Sequence, residues 1–147
     1  SANRASQKKT QQPDHGILQV LIIEKDGVTQ SLYRQTIKSW GLAVDLKMTA
    51  HPIEAMVALG LQTPDLLMTD LNLSEIDALA MLKALRGNDA YSDMGIVAVT
   101  NLSADDIAAK GSLPKRVRLY SKQPIPFWEM KELMAGLIER KQERQSA

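Results

Sequence analysis

Three side chains that could take part in chemistry each follow a short apolar run. Asp70 follows Leu-Leu-Met-Thr, Thr100 follows Ile-Val-Ala-Val, and Lys122 follows Val-Arg-Leu-Tyr-Ser. Each run has the length and composition of a buried strand. Because open α/β sheets carry their functional groups at the carboxyl ends of the strands, an acid, a hydroxyl and an ammonium at three strand ends predict one shared pocket.

The composition favours one globular domain and excludes several kinds of site. The chain has 147 residues, 44% of them hydrophobic, with 18 basic and 17 acidic side chains for a formal charge of +1. That balance gives no reason to expect a nucleic-acid or anionic membrane partner. The absence of cysteine excludes disulfides and thiolate metal sites. No apolar run approaches the roughly 20 residues of a membrane span, and the start has no signal-peptide core.

From Ile17 onward, short apolar runs alternate with stretches whose apolar residues recur every three or four positions. This alternation is typical of βαβ units. The predicted strands are Gln19–Ile23, Ala43–Met48, Leu66–Thr69, Gly95–Val99 and Val117–Ser121. The predicted helices are Gly27–Trp40, Pro52–Leu61, Ala78–Leu85, Ala104–Lys110 and a last helix from Phe127 to about Gln142.

Five strands alternating strictly with five helices predict an α/β fold, a flavodoxin-like, doubly wound parallel sheet in strand order 2-1-3-4-5. The polar residues 1–16 are expected to be a disordered tail, in part an expression remnant, because they can add little to a core. The folded domain is predicted to cover residues 17–140. Residues 141–147 are expected to be a polar tail or the start of a linker.

In such a sheet the first and third strands flank the ligand crevice, so Glu24 is expected to face Asp70. With this arrangement the chain resembles the CheY-like receiver domain of two-component response regulators. The resemblance is carried by Val-Leu-Ile-Ile-Glu ending at Glu24, by the stretch from Pro64 to Leu73 around Asp70, by Ile-Val-Ala-Val-Thr ending at Thr100, and by Ser-Lys ending at Lys122.

The resemblance implies a role for each of these residues. Asp70 matches the phosphoacceptor, Thr100 the hydroxyl that binds the phosphoryl oxygens, and Lys122 the ammonium that pairs with the phosphoryl group. Glu24, Asp70 and the backbone carbonyl of Asn72 match the magnesium ligands. The chemistry agrees with these roles. A carboxylate can accept a phosphoryl group only where a metal, a lysine and hydrogen-bond donors are already placed to neutralise the charge on the phosphoryl oxygens.

The sequence departs from the family pattern at the metal site. The family normally has a second acid, a direct metal ligand, where this chain has Lys25. Asp26 comes one position late and is expected to point away unless a bulge brings it back. An ammonium about 6 Å from a divalent ion costs roughly 5 kcal/mol at an effective dielectric constant near 20. Mg²⁺ is therefore expected to bind weakly at most, unless Lys25 points to solvent.

Further departures surround the pocket. The aromatic switch position of the family is Leu119 here, and Tyr120 is one residue off and expected on the opposite face. The other departures are Ser74 in place of proline, Ala78 in place of glycine, Asn101 in place of a small residue, and Gln123 between Lys122 and Pro124. Together they weaken the expectation of a standard phosphorylation switch.

Two interpretations follow from the resemblance. In the first, the domain accepts a phosphoryl group on Asp70 from a histidine kinase. In the second, which we favour, it is an atypical receiver in which Lys25 replaces the metal charge by pairing with Asp70 and Glu24, and it acts as a protein-interaction module. A nucleotide-binding or small-molecule enzyme of flavodoxin-like fold is a third interpretation, disfavoured because no glycine-rich turn follows the first strand.

The expected partners are a histidine kinase or phosphotransfer protein, or a downstream signalling protein. Neither nucleic acid nor membrane is expected as a partner of this domain, and a homodimer through the last helix is compatible with the family. The domain is expected to be cytoplasmic. It is not expected to be an enzyme beyond receiving a phosphoryl group on its own Asp70.

Overall fold

The computed structural model describes residues 16–146. Five parallel strands form one sheet in the order β2-β1-β3-β4-β5, as the sequence predicts. The strands are β1 (Leu18–Ile23), β2 (Val44–Thr49), β3 (Leu66–Thr69), β4 (Gly95–Thr100) and β5 (Val117–Ser121). The predicted flavodoxin-like topology is therefore confirmed.

Within residues 16–146, four α-helices and one short 3-10 turn connect the strands, and a fifth α-helix follows β5. The helices are α1 (Gly27–Ser39), α2 (Pro52–Leu61), α3 (Ala78–Arg86), α4 (Ala104–Ala109) and α5 (Phe127–Ser146), and the 3-10 turn is Asp89–Tyr91. Side chains cap three of them at the first turn: Asp26 caps α1, Asp77 caps α3 and Ser103 caps α4. Such caps satisfy backbone N–H groups that have no partner inside the helix. Within residues 16–146, no helix is both long and apolar enough to cross a membrane.

The helices cover both faces of the sheet, and each face has its own apolar core. On one face, side chains of α2, α3 and α4 pack around buried Leu67 and Leu82. On the other face, side chains of α1 and α5 pack around Met68 and Met134. Strand β3 contributes to both cores, because all four of its residues are buried. A strand covered on both faces needs a continuous apolar run, which explains the sequence of β3.

The strand register determines which residues meet at the carboxyl edge of the sheet. Ile23 of β1 lies opposite Thr69 of β3, and Thr100 of β4 lies opposite Ser121 of β5. The residues that follow these strand ends therefore leave the sheet at a common edge. We call this the pocket edge.

At the opposite edge of the sheet, where the strands begin, the last part of α5 contacts the residues before β1 and β3. The Lys141 ammonium lies 2.8 Å from Asp65 Oδ2 and donates to the Ile17 carbonyl oxygen at 2.7 Å. The same Asp65 oxygen accepts from the Gln19 backbone N–H at 2.7 Å. We call this group of four residues the basal clasp.

The basal clasp accounts for a difference from the sequence-based boundary. The last helix was expected to end near Gln142, with a tail or linker from residue 141, but α5 continues to Ser146. Lys141 is anchored to the body of the domain, so residue 141 belongs to the packed structure. Of the predicted tail at residues 1–16, all but Gly16 lies outside the described residues.

Candidate functional site

Two carboxylates lie side by side at the pocket edge. Glu24 follows β1 and is 1% exposed, and Asp70 follows β3 and is 6% exposed. Their backbones are held by the sheet, because Glu24 N–H donates to Thr49 O at 3.0 Å and Asp70 N–H donates to Ile23 O at 3.3 Å. The expectation that Glu24 faces Asp70 across the first and third strands agrees with this placement. Two buried carboxylates side by side are favourable only with positive charge nearby.

Lys122 supplies that charge. Its ammonium Nζ lies 2.6 Å from Glu24 Oε1 and 2.7 Å from Asp70 Oδ2. Burial alone would lower the pKa of Lys122, but its hydrogen bonds to Asp70 and Glu24 and the charges of both acids raise the pKa overall. Lys122 therefore stays protonated and bridges the two carboxylates. The site formed by these three side chains is called the pocket triad below.

The remaining oxygens of the pocket triad accept backbone hydrogen bonds. Glu24 Oε2 accepts from the Asp26 N–H at 3.0 Å, and Asp70 Oδ1 accepts from the Asn72 N–H at 3.0 Å. The side-chain amide of Gln30 also donates to the Glu24 backbone carbonyl. The sequence analysis did not single out Gln30. The one available signal was its position in the first turn of α1, four residues after the cap residue Asp26.

Lys25 is not part of the pocket triad. Its side chain is exposed, and no hydrogen bond or ion pair is found for it within residues 16–146. The predicted pairing of Lys25 with Asp70 and Glu24 is therefore not what the structure has: the bridging ammonium belongs to Lys122. The physical reason is alternation at the end of β1, which turns Glu24 inward and leaves the next side chain in solvent.

Asp26 does not replace the missing acid. Its side chain accepts from the Thr29 backbone N–H at 2.9 Å and from the Thr29 hydroxyl at 2.7 Å, and so caps α1. These two hydrogen bonds lower the pKa of Asp26. The carboxylate is exposed and committed to the helix, as expected for a residue pointing away from the pocket.

Thr100 lies at the same edge and is buried. Its hydroxyl accepts from the Leu102 N–H at 3.2 Å, and its carbonyl accepts from the Lys122 N–H at 3.0 Å. The end of β4 thus fixes the backbone that carries the bridging lysine. The structure brings together the four residues that the sequence analysis placed in one pocket, Glu24, Asp70, Thr100 and Lys122.

The positions around the family's aromatic switch also separate onto two faces. Leu119 is 42% exposed on one face of β5, whereas Tyr120 packs against the core formed with α1 and α5. Successive side chains of a strand point to opposite faces, so this arrangement is the one that strand alternation predicts. The Gln123–Pro124 peptide bond that follows Lys122 is cis.

The pocket offers an incomplete set of ligands for a divalent cation. Among residues 16–146, no group of three or more His, Cys, Asp or Glu side chains is placed to hold a metal ion. The implied ligands are the carboxylates of Glu24 and Asp70 and the carbonyl of Asn72, and both carboxylates are bound to Lys122. Mg²⁺ needs near-octahedral oxygen coordination and gives up its water reluctantly. The described pocket thus offers two carboxylates and one backbone carbonyl to a metal, and both carboxylates pair with the Lys122 ammonium.

Solved structures of known proteins share this fold. A CheY-like receiver domain from Methylobacillus flagellatus is 19% identical, with a TM-score of 0.66 over 82% of this chain and 98% of the other. A receiver domain of a DNA-binding response regulator from Colwellia psychrerythraea 34H is 23% identical, with a TM-score of 0.69 over 83% and 98%. The receiver domain of a sensor histidine kinase from Pseudomonas aeruginosa PAO1, with magnesium coordinated in its active-site cleft, is 20% identical, with a TM-score of 0.65 over 83% and 98%. At these identities the likeness establishes the fold alone.

The sequence itself identifies the family. No curated protein matches this chain. The family model described as response regulator receiver domain matches residues 20–120, which include Glu24, Asp70 and Thr100 and end two residues before Lys122. This match covers more than half of the chain and agrees with the topology and with the residues of the pocket. The chain belongs to the response regulator receiver domain family of two-component signalling.

Proposed function

We propose that this receiver domain acts as a protein-interaction module in which magnesium-dependent phosphorylation of Asp70 is weak or absent. One observation carries the proposal: the Lys122 ammonium bridges Glu24 and Asp70 at 2.6 and 2.7 Å while the position of the second acid holds Lys25. Both carboxylates of the pocket are already neutralised in part by the protein itself. The charge that would attract a divalent cation is correspondingly reduced.

The reasoning differs from the sequence-based version in the identity of the lysine. Lys25 was expected to enter the pocket and cancel its charge, whereas the exposed Lys25 leaves the pocket triad with a net formal charge of minus one. The deficit in metal binding is therefore attributed to the missing acid at position 25 and to the short bridge made by Lys122. A metal that enters must displace the Lys122 ammonium from Asp70 or share the carboxylates with it, and either costs free energy.

A conventional phosphoreceiver is the second candidate, and the placement of Asp70, Thr100 and Lys122 at one edge favours it. In that case an Asp70 oxygen attacks the phosphorus of a phosphohistidine or acetyl phosphate, and the phosphorus–nitrogen or phosphorus–oxygen bond to the leaving group breaks. Thr100 and Lys122 would bind the phosphoryl oxygens. The chain carries these three groups but lacks one of the acids that the family uses to neutralise the charge.

The experiment is incubation with acetyl phosphate, and separately with beryllium fluoride, with and without Mg²⁺. Modification is read by intact mass and by amide chemical shifts around Asp70. The proposal predicts little modification at millimolar Mg²⁺ and no saturable shifts around Asp70. Metal-dependent modification of most of the protein would favour the conventional receiver instead.

A matched pair of variants tests the cause. Lys25→Asp restores an acid where the family has its second metal ligand, and we expect Mg²⁺ affinity to rise at least about tenfold, because a third carboxylate adds charge and a ligand. Lys38→Asp makes the same charge change near the end of α1, away from the pocket edge. If both variants gain affinity equally, the overall charge is responsible and the proposed role of position 25 is wrong.

Partners follow from the proposed role. We expect a histidine kinase, a phosphotransfer protein or a downstream signalling protein to bind, with the domain acting in the cytoplasm. Magnesium is expected as a weak ligand at most. Pull-down with wild-type protein and with Asp70→Asn separates the two candidates, because an interaction module binds its partner equally well without the acceptor carboxylate.

A further inference from the structure

A cavity of about 440 Å³ lies between the sheet and α5, near the points where β4 and β5 begin. Its walls are mostly aliphatic, and the apolar side chains that line it are Leu66, Ile96, Val97, Val117, Leu133 and Leu137. Sites that bind small molecules have volumes of about 300–1,000 Å³ and combine apolar walls with a few polar groups. The size and lining of this cavity, called the β5–α5 cavity below, are those of such a site.

Two arginines complete the polar part of the lining. Arg118 lies in β5 and Arg116 directly precedes this strand, and both are exposed, which places them where the cavity meets solvent. The side chain of Arg118 makes no hydrogen bond or ion pair within residues 16–146. Arg116 donates from Nη1 to the Ser92 carbonyl oxygen at 3.0 Å, and a guanidinium has five N–H donors. Both side chains therefore keep donors for a further acceptor.

A third arginine lies next to Arg116. Arg86 donates to the carbonyl oxygens of Met94 and Arg116, each at 2.9 Å, and these acceptors carry no formal charge. Its Nε is buried and has no hydrogen-bond partner in the part of the chain that the structure describes. Burial and, after it, the charge of Arg116 lower the pKa of Arg86. An anion bound by Arg116 would reduce the repulsion between these two guanidinium groups.

None of the three arginines forms an ion pair with a carboxylate of the described chain. Asp65 is the acid next to the cavity wall in the sequence, and Lys141 of the basal clasp binds it at 2.8 Å. Its charge is therefore already balanced. The β5–α5 cavity joins an aliphatic interior to positive charge that no acid of residues 16–146 offsets.

These features are complementary to an anion carried on an aliphatic chain. A guanidinium binds a carboxylate through parallel, charge-assisted hydrogen bonds. Each CH₂ group that leaves water for an apolar wall improves affinity about fourfold. A nucleobase is a poorer match, because bases are bound mainly by stacking on aromatic rings and the cavity lining in the described chain has none.

We propose that the β5–α5 cavity binds a medium-chain aliphatic carboxylate, with its carboxylate on Arg116 and Arg118 and its chain between the sheet and α5. A second cavity, of about 320 Å³, lies between α1 and β2 and is lined in part by Arg34 and Lys38. Because it is smaller, it is the weaker candidate and the rival site. The proposal involves neither Asp70 nor a metal, so it stands or falls separately from the proposed function.

NMR titration with sodium decanoate tests the proposal. We expect one saturable site with a Kd below about 1 mM, and amide shifts confined to the first residues of β4 and β5 and to α5 around Leu133 and Leu137. Decylammonium has the same chain with the opposite charge and should bind at least about tenfold more weakly. Binding that does not saturate by about 5 mM decanoate, or equal affinity for decylammonium, would overturn the proposal.

Charge variants locate the site. Arg118→Gln removes one charge of the proposed site and is expected to raise the Kd for decanoate at least about tenfold. Arg144→Gln makes the same change about 10 Å beyond Leu137 along α5 and should leave the Kd unchanged. Arg34→Gln reports on the rival cavity and should also have no effect. A loss of affinity in Arg34→Gln with none in Arg118→Gln would overturn the proposal.

Two further measurements test the apolar part of the site. Leu133→Trp adds an indole ring to the cavity wall and should abolish decanoate binding, whereas Leu32→Trp on the exposed side of α1 should not. Circular dichroism verifies that both variants are folded. Across hexanoate, octanoate and decanoate, wild-type affinity should rise about fourfold for each added CH₂. Equal affinity for the three chains would show that only the carboxylate is bound and would contradict the proposal.

Vesicles distinguish a free carboxylate from a lipid surface. We expect no cosedimentation of the protein with vesicles of phosphatidylglycerol and phosphatidylcholine in equal amounts. Cosedimentation without saturable decanoate binding would identify an anionic membrane surface as the occupant and would overturn the proposal.

Discussion

One lysine lies at the carboxyl ends of the parallel strands and another lies at their amino ends, and the two ammonium groups contact different amounts of negative charge. Lys122 at the pocket edge binds two buried carboxylates, Glu24 and Asp70, and leaves one negative charge in excess. Lys141 at the opposite edge binds the partly exposed carboxylate of Asp65 together with the backbone carbonyl of Ile17. Within the four residues of the basal clasp the formal charges therefore cancel. The pocket edge therefore keeps a formal negative charge that the basal clasp does not have.

The strongest test of this difference is to remove the lysine from the pocket edge. Lys122→Met leaves two buried carboxylates without a counter-charge, and we expect a loss of about 3–5 kcal/mol in the free energy of unfolding at pH 7. Urea denaturation measures it, with Lys115→Met on an exposed loop as the matched control. A loss below about 1 kcal/mol would mean that the folded state does not depend on Lys122 to balance the charge of Glu24 and Asp70.

The equivalent change at the basal clasp should cost less. Lys141→Met removes one partly exposed ion pair, so we expect a loss of about 1 kcal/mol, measured in the same denaturation experiment. Helix content near the end of α5 should fall slightly as well, and amide hydrogen exchange at residues 139–144 would report it. Equal losses for Lys141→Met and Lys122→Met would contradict the contrast between the two edges.

Removing one acid from the pocket is expected to have the opposite sign. Asp70→Asn leaves a neutral Glu24–Lys122 pair in place of two acids that share one ammonium, so we expect the free energy of unfolding to rise by about 1 kcal/mol. Thermal melting at neutral pH measures the change. A loss of stability would show that the charged hydrogen bonds to Asp70 outweigh the repulsion between the acids.

The smallest expected effect is on alkaline stability. Burial alone would lower the pKa of Lys122, yet its bonds to Asp70 and Glu24 raise it above the ordinary value of 10.5. The folded state then keeps this proton at pH values where the unfolded chain has released it. The stabilisation is therefore complete below pH 10.5 and decreases as the pH rises through the folded-state pKa. Because burial also raises the pKa of Tyr33, the wild type should be compared with Lys122→Met between pH 9 and 11.5, and identical slopes would contradict the assignment.

The fold could be predicted from the sequence because each element carries a local signal. These signals lie within a few consecutive residues of the sequence. They include the apolar run of β3, the helix-capping residue Asp26, and the alternation of Val44, Leu46 and Met48 in β2. Parallel strands place their carboxyl ends at one edge by topology, so the grouping of Asp70 with Lys122 also followed from the order of the elements.

What the sequence did not predict depends on directions and long-range contacts. Whether Lys25 or Lys122 reaches the acids is decided by the side-chain direction one residue beyond a strand end. The length of α5 was underestimated because residues 139–144 are almost all charged, which is typical of a solvated end. The contact that holds this segment joins Lys141 to Ile17, 124 residues away, and no local pattern reveals it.

The basal clasp also has a consequence for how the chain could be rearranged. It joins the start of β1 to the far part of α5, and Gly16 lies so close to Gln142 that an added Cβ would meet Gln142 Cγ at 2.5 Å. Residues 16 and 142 of the folded domain therefore lie close together, on the side of the sheet away from the pocket triad. A short peptide across this junction, with the backbone opened instead at the exposed turn of Gly87 and Asn88, would give a circular permutant in which the pocket residues keep their places.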